Sequence, residues 1–314
     1  MGVSRSVADR LEVAPDVAAA LAGGGAVVAL ESTLISHGLP YPQNLAVATA
    51  AEAAVRAAGA VPATVAVLGG RIRVGLDAQA LEALATAPAG SVRKAARPSL
   101  AAALADGGWA ATTVSATMIA AHAVGIAVFA TGGIGGVHRG ALGSTATLDI
   151  SSDLEELART PLAVVCAGPK AILDVPATLE YLETRGVPVV ALGQAELPGF
   201  FTRSAGILAP EAVADVAAAA ALVGTHLGLG LGSAILVCVP VPEADALAPA
   251  IARDAIESAV RDADAAGIGG PALTPWLLAR IGVLTAGASI RANTALIVND
   301  ARVAAELAVL RARS

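Results

Sequence analysis

The sequence predicts one α/β domain with a three-layer α/β/α arrangement around a mixed, largely parallel central sheet. Short apolar runs of strand length alternate with alanine-rich segments of helix length along most of the 314 residues, a pattern typical of successive βα units. The apolar runs are continuous rather than alternating, as in parallel strands buried on both faces. No linker rich in Pro, Ser or charge divides the chain. We therefore expect residues 1–314 to form a single domain, with residues 1–12 as a loose N-terminal arm.

The N-terminal half supplies the first strands of the sheet and the helices that cover them. Gly69 and Gly70 stand between two apolar runs and predict a hairpin, because glycine accepts the backbone conformations of tight turns. Asn44 precedes an alanine-rich run and is predicted to cap a helix. The predicted strands are Ala26–Leu30, Ala63–Leu68, Ile72–Val74 and a short one near Val92, and the predicted helices are Asn44–Gly59, Asp77–Ala85 and Thr113–Val124.

The C-terminal half continues this alternation and then becomes helical. Ser152 and Glu155 have the spacing of a capping box, in which two side chains bind free N–H groups of the first helical turn. They predict a helix that runs to Ala158. The predicted strands are Ile126–Ala130, Leu162–Cys166, Val187–Leu192 and Ala234–Val239, and the further helices are Thr178–Thr184, Glu243–Ala266, Pro275–Thr285 and Ala292–Leu310.

The composition argues against a nucleic-acid-binding or secreted protein. The formal net charge is −6 and aromatic residues make up 2% of the chain, whereas nucleic-acid-binding surfaces are basic and stack bases on aromatic rings. The N-terminal residues lack the apolar segment of a signal peptide. Cys166 and Cys238 both lie in apolar runs, and two such cysteines make neither a disulfide framework nor a zinc site. We expect buried free thiols in a protein of the reducing cytoplasm.

One stretch without acidic or basic residues other than His226, residues 216–242, has the length of a transmembrane helix. Four glycines between positions 224 and 232 interrupt its middle. This pattern favours an alanine-rich helix, a glycine turn and a buried strand over a membrane span. No flanking cluster of positive charge supports insertion, so we expect no membrane partner.

The chain uses lysine only twice. Of its 20 cationic residues 18 are arginine, and the lysines are Lys94 and Lys170. A Schiff base requires an amine that can lose its proton, which lysine offers and arginine does not. Lys170 follows a buried strand and the turn 167–169, where partial desolvation would make its amine a better nucleophile. The alternative is that both lysines are ordinary surface residues.

Other polar residues near predicted strands are candidates for acid–base or anion chemistry. Glu31 directly follows a strand, a position typical of a general acid or base, although a helix N-terminus or a solvated loop also accepts a carboxylate. Lys94 lies between Arg93 and Arg97, which form either an anion-binding cluster or a solvated turn. His37 lies in a turn-rich loop that is placed to cover a site.

The central stretch, residues 126–174, concentrates polar groups around two predicted strands. His138 follows the first strand, Lys170 follows the second, and Asp149 and Asp153 lie between them. Ligands of open α/β sheets bind at the carboxyl ends of strands, in loops like these. The helix N-terminus beside the two aspartates is either simply capped, or an anion site, or a Mg²⁺ or Mn²⁺ site that uses the carboxylates.

Several long blocks of this sequence resemble the pseudouridine-5′-phosphate glycosidase family. They include VALESTLISHGLPYPQN at 28–44, ATGGIGGVHRG at 130–140, DISSDLEELA at 149–158 and VVCAGPKAILD at 164–174, and the similarity continues in order to the C-terminus. The resemblance implies reversible cleavage of the C–C glycosidic bond of pseudouridine 5′-phosphate into uracil and ribose 5-phosphate. It also implies a homotrimer and a divalent cofactor, Mn²⁺ or another cation such as Mg²⁺.

The resemblance also implies roles for individual residues. Lys170 matches the imine-forming nucleophile, Glu31 the proton donor and Asp149 the metal ligand. The positions that match the substrate-binding residues are Lys94, Val114, His138, Ser151, Ser152, Asp153 and Asn293.

The chain departs from the family pattern in three places. The segment after Lys94 lacks the usual Arg-Asp pair, the loop between His138 and Asp149 is longer, and Val239 replaces an asparagine. These departures bear on the phosphate contacts and on which pyrimidine C-nucleotide is used. Two alternatives stay open: another Schiff-base lyase acting on a sugar phosphate, and a non-catalytic sugar-phosphate-binding protein with the same fold.

Overall fold

A computed structural model describes residues 6–142 and 147–313 of the chain. The elements of the N-terminal half are, in order, β1 (Leu11–Val13), α1 (Pro15–Ala22), β2 (Val27–Leu30), α2 (Thr33–His37), α3 (Gln43–Ala57), β3 (Val61–Leu68), β4 (Arg71–Val74), α4 (Ala78–Ala85), β5 (Arg93–Ala95), α5 (Leu100–Asp106), β6 (Ala110–Thr112) and α6 (Val114–Ala123). Those of the C-terminal half are β7 (Val128–Ala130), α7 (Ser152–Leu157), β8 (Ala163–Cys166), α8 (Val175–Thr184), β9 (Val189–Leu192), β10 (Glu211–Val213), α9 (Val216–Gly228), β11 (Ile235–Cys238), α10 (Pro249–Ala265), α11 (Leu273–Leu284) and α12 (Ala288–Ala312).

The strands form one mixed, mostly parallel 11-stranded sheet, which confirms the predicted fold class. The order along the main path is β1-β4-β3-β2-β7-β8-β11-β9-β10, and β6 pairs with both β3 and β5. Among the described strands, antiparallel pairing occurs between β3 and β4 and between β3 and β6. The neighbours β2, β7 and β8 are mutually parallel, so their carboxyl ends lie together at one edge of the sheet.

Helices cover both faces of the sheet and produce the three layers. Val128 and Ala130 of β7 pack in the apolar cluster beneath α3, α9, α10 and α12. Phe129, between them, packs in the opposite cluster beneath α1, α6, α7 and α8. Burial on both faces explains why the central strands are apolar at every position.

The uncharged stretch 216–242 folds as predicted. It forms α9, a turn, and β11, which is buried between β8 and β9. None of the helices within residues 6–142 and 147–313 has both the length and the apolar content that a transmembrane span requires. Cys166 and Cys238 are buried free thiols, as expected, and are register partners in β8 and β11.

The end of the expected N-terminal arm is ordered into the sheet. Leu11 and Glu12 belong to β1, which pairs in parallel with β4, and Arg71 donates a hydrogen bond to Leu11 O (3.0 Å). Residues 1–5 lie outside the described part of the chain. Three residues of strand are too few to show an apolar pattern, which is why the sequence did not indicate β1.

Two predicted helix caps are wrong, the cap of α3 by two residues and the cap of α7 by one. Asn44 lies inside α3, where its buried amide donates to Ile35 O (2.7 Å) and Ala85 O (2.9 Å) and joins α2 and α4 to α3. The cap of α7 is Ser151 rather than Ser152, because the Asp153 N–H donates to Ser151 Oγ (3.2 Å). The spacing of Ser152 and Glu155 therefore does not form a capping box.

The predicted helix from Glu243 to Ala266 is shorter than expected. Glu243–Asp245 forms a separate 3₁₀ turn, and α10 begins at Pro249. Proline favours an extended conformation in the residue before it, and Ala248 has ψ 135°. The helix consequently cannot extend back through Ala248.

Asp300 is an unusual member of the core. It lies on α12 with a relative exposure of 0%, and neither carboxylate oxygen accepts a hydrogen bond from any residue that the structure describes. Burial, with a smaller effect of the nearby Cys166 thiol, holds its pKa well above the usual range of an aspartate. The nearby Ala167 N–H opposes this shift, although its hydrogen bond goes to Gly132 O (3.1 Å).

Asp300→Asn should stabilise the protein, and increasingly so at higher pH. Because the folded-state pKa of Asp300 is raised, its contribution to stability is greatest below the unfolded-state pKa of about 3.9. That contribution is lost as pH rises towards the folded value, whereas asparagine does not titrate. The melting temperature of the variant should exceed that of wild type by at least about 2 °C at pH 7, and by less at pH 4. Asp254→Asn, at a solvent-exposed position, is the control, and a pH-independent difference at Asp300 would contradict the account.

Candidate active site

Glu31 lies at the carboxyl end of β2, as its position after a strand predicted. It is 8% exposed, and its two carboxylate oxygens accept hydrogen bonds from the hydroxyl groups of Thr33 and Thr131. Thr131 directly follows β7, the parallel neighbour of β2. A buried carboxylate is costly unless hydrogen bonds compensate it, and the two threonines provide them.

Lys170 lies in the loop after β8 and reaches back towards the loop after β7. Its Nζ donates to Gly133 O (2.8 Å), and its backbone N–H donates to Ile134 O (3.1 Å). The two loops pack closely at Gly133, where an added Cβ would lie 3.0 Å from Gly168 O. The same Cβ would lie 2.6 Å from Phe200 Cε2. Only glycine allows this approach, which fixes the direction of the lysine side chain.

Asp153 joins three segments beside the lysine. Its Oδ1 accepts from Ser115 N (3.0 Å), at the start of α6, and its Oδ2 accepts from Gly135 N (3.0 Å), in the loop after β7. Asp153 itself lies in the first turn of α7. The carboxylate is buried and positions the glycine loop relative to two helix N-termini.

Lys94 lies on β5, and the charges of Lys170, Asp153 and Glu31 act on its amine. Lys94 as a whole is solvent-exposed, yet the protein around its amine desolvates it and lowers its pKa. The positive charge of Lys170 lowers the pKa of Lys94 further, and the carboxylates of Asp153 and Glu31 oppose the shift. The two lysines therefore converge on one region with Glu31 and Asp153.

Two half-buried histidines flank the lysines. Burial lowers the pKa of His138, Asp149 opposes this shift, and Lys170 and Lys94 add to it. The backbone N–H of His138 also donates to the backbone oxygen of Asp149 (3.0 Å). Burial and the charge of Lys94 lower the pKa of His37, whose Nδ1 lies 2.8 Å from Ser36 Oγ.

The remaining predicted site residues lie around this cluster at different depths. Val114 is the buried first residue of α6. Ser151 caps α7, and Ser152 Oγ lies 3.4 Å from Ser115 Oγ. Asn293 is half-buried on α12, one helical turn before Ile297, which packs near Glu31 in a small cavity.

The basic segment around Lys94 is not a single anion-binding cluster. The Arg97 guanidinium forms an ion pair with Glu156 of α7, whose carboxylate is buried. Arg93 is solvent-exposed. Lys94, between them, interacts electrostatically with Lys170 and Glu31.

The donor set around Asp149 restricts which metal ion it can hold. Asp149 is half-buried, and the described residues contain no group of three or more His, Cys, Asp or Glu side chains suited to a metal ion. Zinc requires such a set of protein ligands. Mg²⁺ and Mn²⁺ instead bind through one or two carboxylates and keep water or phosphate ligands, so a single aspartate fits them. Residues 143–146 of the longer loop before Asp149 lie outside the described residues.

Sequence reasoning missed several polar groups of the site. The hydroxyls of Thr33 and Thr131 bind Glu31, and the N–H groups of Ser115 and Gly135 bind Asp153. Thr33 and Thr131 each stand at or just beyond the end of an apolar run, which is the same signal that identified Glu31. Small hydroxyl residues are frequent, however, and their partners lie far away in sequence.

The geometry defines a class of protein: a largely parallel α/β protein with two lysines and buried carboxylates at the carboxyl edge of its sheet. Polar groups gathered at such an edge are typical of a ligand site. A family model described as indigoidine synthase A like protein matches residues 16–310. The chain belongs to this family.

Curated relatives carry the name pseudouridine-5′-phosphate glycosidase. The relative from Paracoccus denitrificans is 55% identical over 304 residues, which cover 96% of this chain and 98% of its own. The relative from Methylobacterium nodulans is 55% identical over 95% of this chain and 87% of its own. These matches confirm the family resemblance found in the sequence blocks.

Two solved structures share the fold over almost the whole chain. The prealnumycin C-glycosynthase AlnA, solved in complex with ribulose 5-phosphate, has a TM-score of 0.87 and 39% identity, covering 96% of this chain and 97% of its own. An indigoidine synthase A-like protein from Thermotoga maritima has a TM-score of 0.85 and 30% identity, covering 98% of both chains.

Asp153→Asn should destabilise the protein although it preserves size. The amide NH₂ replaces one carboxylate oxygen, so either Ser115 N–H or Gly135 N–H faces a donor and loses its acceptor. The loss should cost about 1–3 kcal/mol of unfolding free energy, measured by urea denaturation. Asp245→Asn, at an exposed position, should stay within about 0.5 kcal/mol. Equal effects at the two positions would refute the bridging role of Asp153.

Proposed function

We propose that this protein reversibly cleaves the C–C glycosidic bond of pseudouridine 5′-phosphate and releases uracil and ribose 5-phosphate. The observation that carries the proposal is the convergence of Lys170, Lys94 and Glu31 at one sheet edge. It occurs in a chain that is 55% identical to relatives named for this activity.

The chemistry of the bond explains why an amine is needed. Glycosidases that act on O-glycosides protonate a leaving heteroatom with one of two carboxylic acids. The uracil carbon of a C-glycoside offers no such atom, and it takes the electrons of the breaking bond before it is protonated, so the positive charge left at C1′ must be stabilised. A lysine amine attached to C1′ does this by donating its electron pair and forming an iminium.

In the proposed mechanism Lys170 and Glu31 share the bond changes. The neutral Lys170 amine attacks C1′ while Glu31 gives its proton to the departing ring oxygen. The N–H proton lost from the attached amine ends on the uracil carbon, as the C–C bond breaks and the iminium forms. Water then adds to the iminium, releases ribose 5-phosphate and the free amine, and yields one proton that balances the one given by Glu31.

The remaining residues of the cluster are proposed to bind substrate. Lys94 and His138 lie in the same electrostatic field as Lys170, which suits a phosphorylated ribose. Val114 offers its backbone at the N-terminus of α6, beside the Ser115 N–H that binds Asp153. The further members of the proposed substrate site are Ser151, Ser152, Asp153 and Asn293.

We further propose that Asp149 holds Mn²⁺, or another divalent cation such as Mg²⁺. When bound, the ion supplies positive charge that orients an anionic substrate. We also propose a homotrimer located in the cytoplasm. Exposed apolar side chains at the junction of α11 and α12, namely Val283, Leu284 and Ile290, support an assembly, and sedimentation would test its stoichiometry.

A second candidate is a Schiff-base reaction on another sugar phosphate. The structural relative AlnA is named a C-glycosynthase and was solved with ribulose 5-phosphate. The same lysine and glutamate would serve another C-nucleotide with a different base. Release of uracil, followed by absorbance, distinguishes the two candidates, and binding without turnover would indicate a non-catalytic protein.

Lys170→Ala and Lys170→Arg should both lose uracil release by at least roughly 10³-fold, since only binding and charge stabilisation remain without the nucleophile. Arginine keeps the charge but cannot form an imine. Borohydride added during turnover should attach ribose 5-phosphate to Lys170 of the wild type, as detected by peptide mass spectrometry. Turnover by Lys170→Arg, or the absence of this adduct, would refute the imine.

Asp149→Asn should raise the Mn²⁺ concentration for half-maximal activity by at least about tenfold, an effect typical even of groups that only support a metal ligand. Direct Mn²⁺ binding by electron paramagnetic resonance should weaken in parallel. Asp174→Asn, at the cap of α8, is the control. Unchanged Mn²⁺ binding in Asp149→Asn would place the ion elsewhere.

A further inference from the structure

Glu52 is a buried acid that the proposed reaction does not use. It lies on α3 with a relative exposure of 6%. Its Oε1 accepts from Thr64 Oγ1 (2.6 Å), and its Oε2 accepts from Arg56 NH2 (2.9 Å). Arg56 is 55% exposed at its side chain, so this hydrogen-bonded chain extends from the core to solvent.

The inner end of this chain lies next to Glu31. Thr64 of β3 is the register partner of Leu30, the residue before Glu31. A cavity of about 10 Å³ separates them, which is about the volume needed for one water molecule. Its lining includes the polar residues Glu31, Thr64 and Thr131, and an ordered buried water typically makes two to four hydrogen bonds. The remaining walls are apolar, including Ala48, Ala51 and Ile297.

The side chains that form this hydrogen-bonded series follow one face of helix α3 outwards. Ala48 lines the cavity, Glu52 lies one turn further along, and Arg56 lies one turn beyond that. The route therefore leaves Glu31 on the side of α3 and α12. Lys170, in the loop after β8, and Asp153, in the first turn of α7, lie outside this cavity lining.

We propose that one water in this cavity links Glu31 to Thr64 and Glu52, and that this relay returns a proton to Glu31 in each turnover. The inference rests on the proposed function, in which Glu31 donates a proton to the ring oxygen. Glu52 accepts from Thr64 in the resting structure and first takes up a proton from solvent beside Arg56. The hydrogen bond then reverses, so that Glu52 gives its proton to Thr64 Oγ1, the Thr64 hydroxyl proton moves to the water, and the water protonates Glu31. Hydrolysis of the iminium releases one proton on the substrate side, so the cycle is balanced.

Thr64→Val tests the relay, because valine keeps the shape of threonine but has no hydroxyl. Enzyme that starts with Glu31 protonated should complete its first turnover at the wild-type rate. Later turnovers should slow roughly tenfold, less than the 10²–10⁴-fold contribution of a general acid itself. Rapid-quench measurement should then show a burst of uracil equal to the enzyme concentration. Thr64→Ser restores the hydroxyl and should remove the burst.

Other results separate the relay from a structural role and from the proposed function. A purely structural effect of Thr64→Val would slow the first turnover as much as the later ones and would overturn the relay. Glu52→Gln removes the acid and keeps one acceptor oxygen for the Thr64 hydroxyl, while its NH₂ replaces the oxygen that accepts from the solvent-exposed Arg56. This variant should also produce the burst. If Thr64→Val does not fold, Glu52→Gln alone tests the relay. The absence of a burst in both variants would overturn the relay.

If the wild type releases no uracil, the proposed function fails and the water itself is tested. A high-resolution crystal structure should show one ordered water bonded to Thr64 and Glu31, and a dry cavity would overturn the inference.

Discussion

Asp153 connects segments that are distant in sequence and thereby sets the geometry of the site. Its carboxylate binds the N-terminus of α6 and the glycine loop after β7, each at 3.0 Å. A Cβ on Gly135 would lie 2.9 Å from Asp153 Oδ2, so the contact requires glycine. Two residues earlier in the same loop, Gly133 supplies the carbonyl that receives the Lys170 amine. The position of the lysine therefore depends on a carboxylate that it does not touch.

The site accumulates like charges that an anionic ligand would compensate. Lys94 has a lowered pKa because it is desolvated and because Lys170 is close. The same two lysines lower the pKa of His138, and Lys94 lowers that of His37. A phosphate group in this field would favour the protonated forms, since a nearby negative charge raises the pKa of a cationic group. Binding of a sugar phosphate should therefore raise the pKa of Lys94 and of the two histidines.

The sequence was sufficient for the central strands and for the charged residues at their ends, but not for the hydrogen bonds between them. Strands buried on both faces are continuous apolar runs, so β2, β7 and β8 and the neighbouring Glu31 and Lys170 could be located. The edge strands β1 and β10 have three residues each and carry no such pattern. Thr131 binds Glu31 from 100 residues away, and Asn44 joins α3 to elements on both sides of it in sequence. Such pairings depend on the topology of the sheet, which periodicity does not specify.

Three buried acids of this protein differ in what compensates them. Glu31 accepts hydrogen bonds from two threonine hydroxyls and interacts electrostatically with Lys94. Glu52 accepts a hydrogen bond from Thr64 and forms an ion pair with Arg56, which extends into solvent. Asp300 has no hydrogen-bond partner within residues 6–142 and 147–313, and burial raises its pKa. It lies near Cys166 and Ala167, where β8 ends and the loop of Lys170 begins. An ionised Asp300 would place an uncompensated charge beneath that loop, so the neutral form is the one compatible with the observed packing.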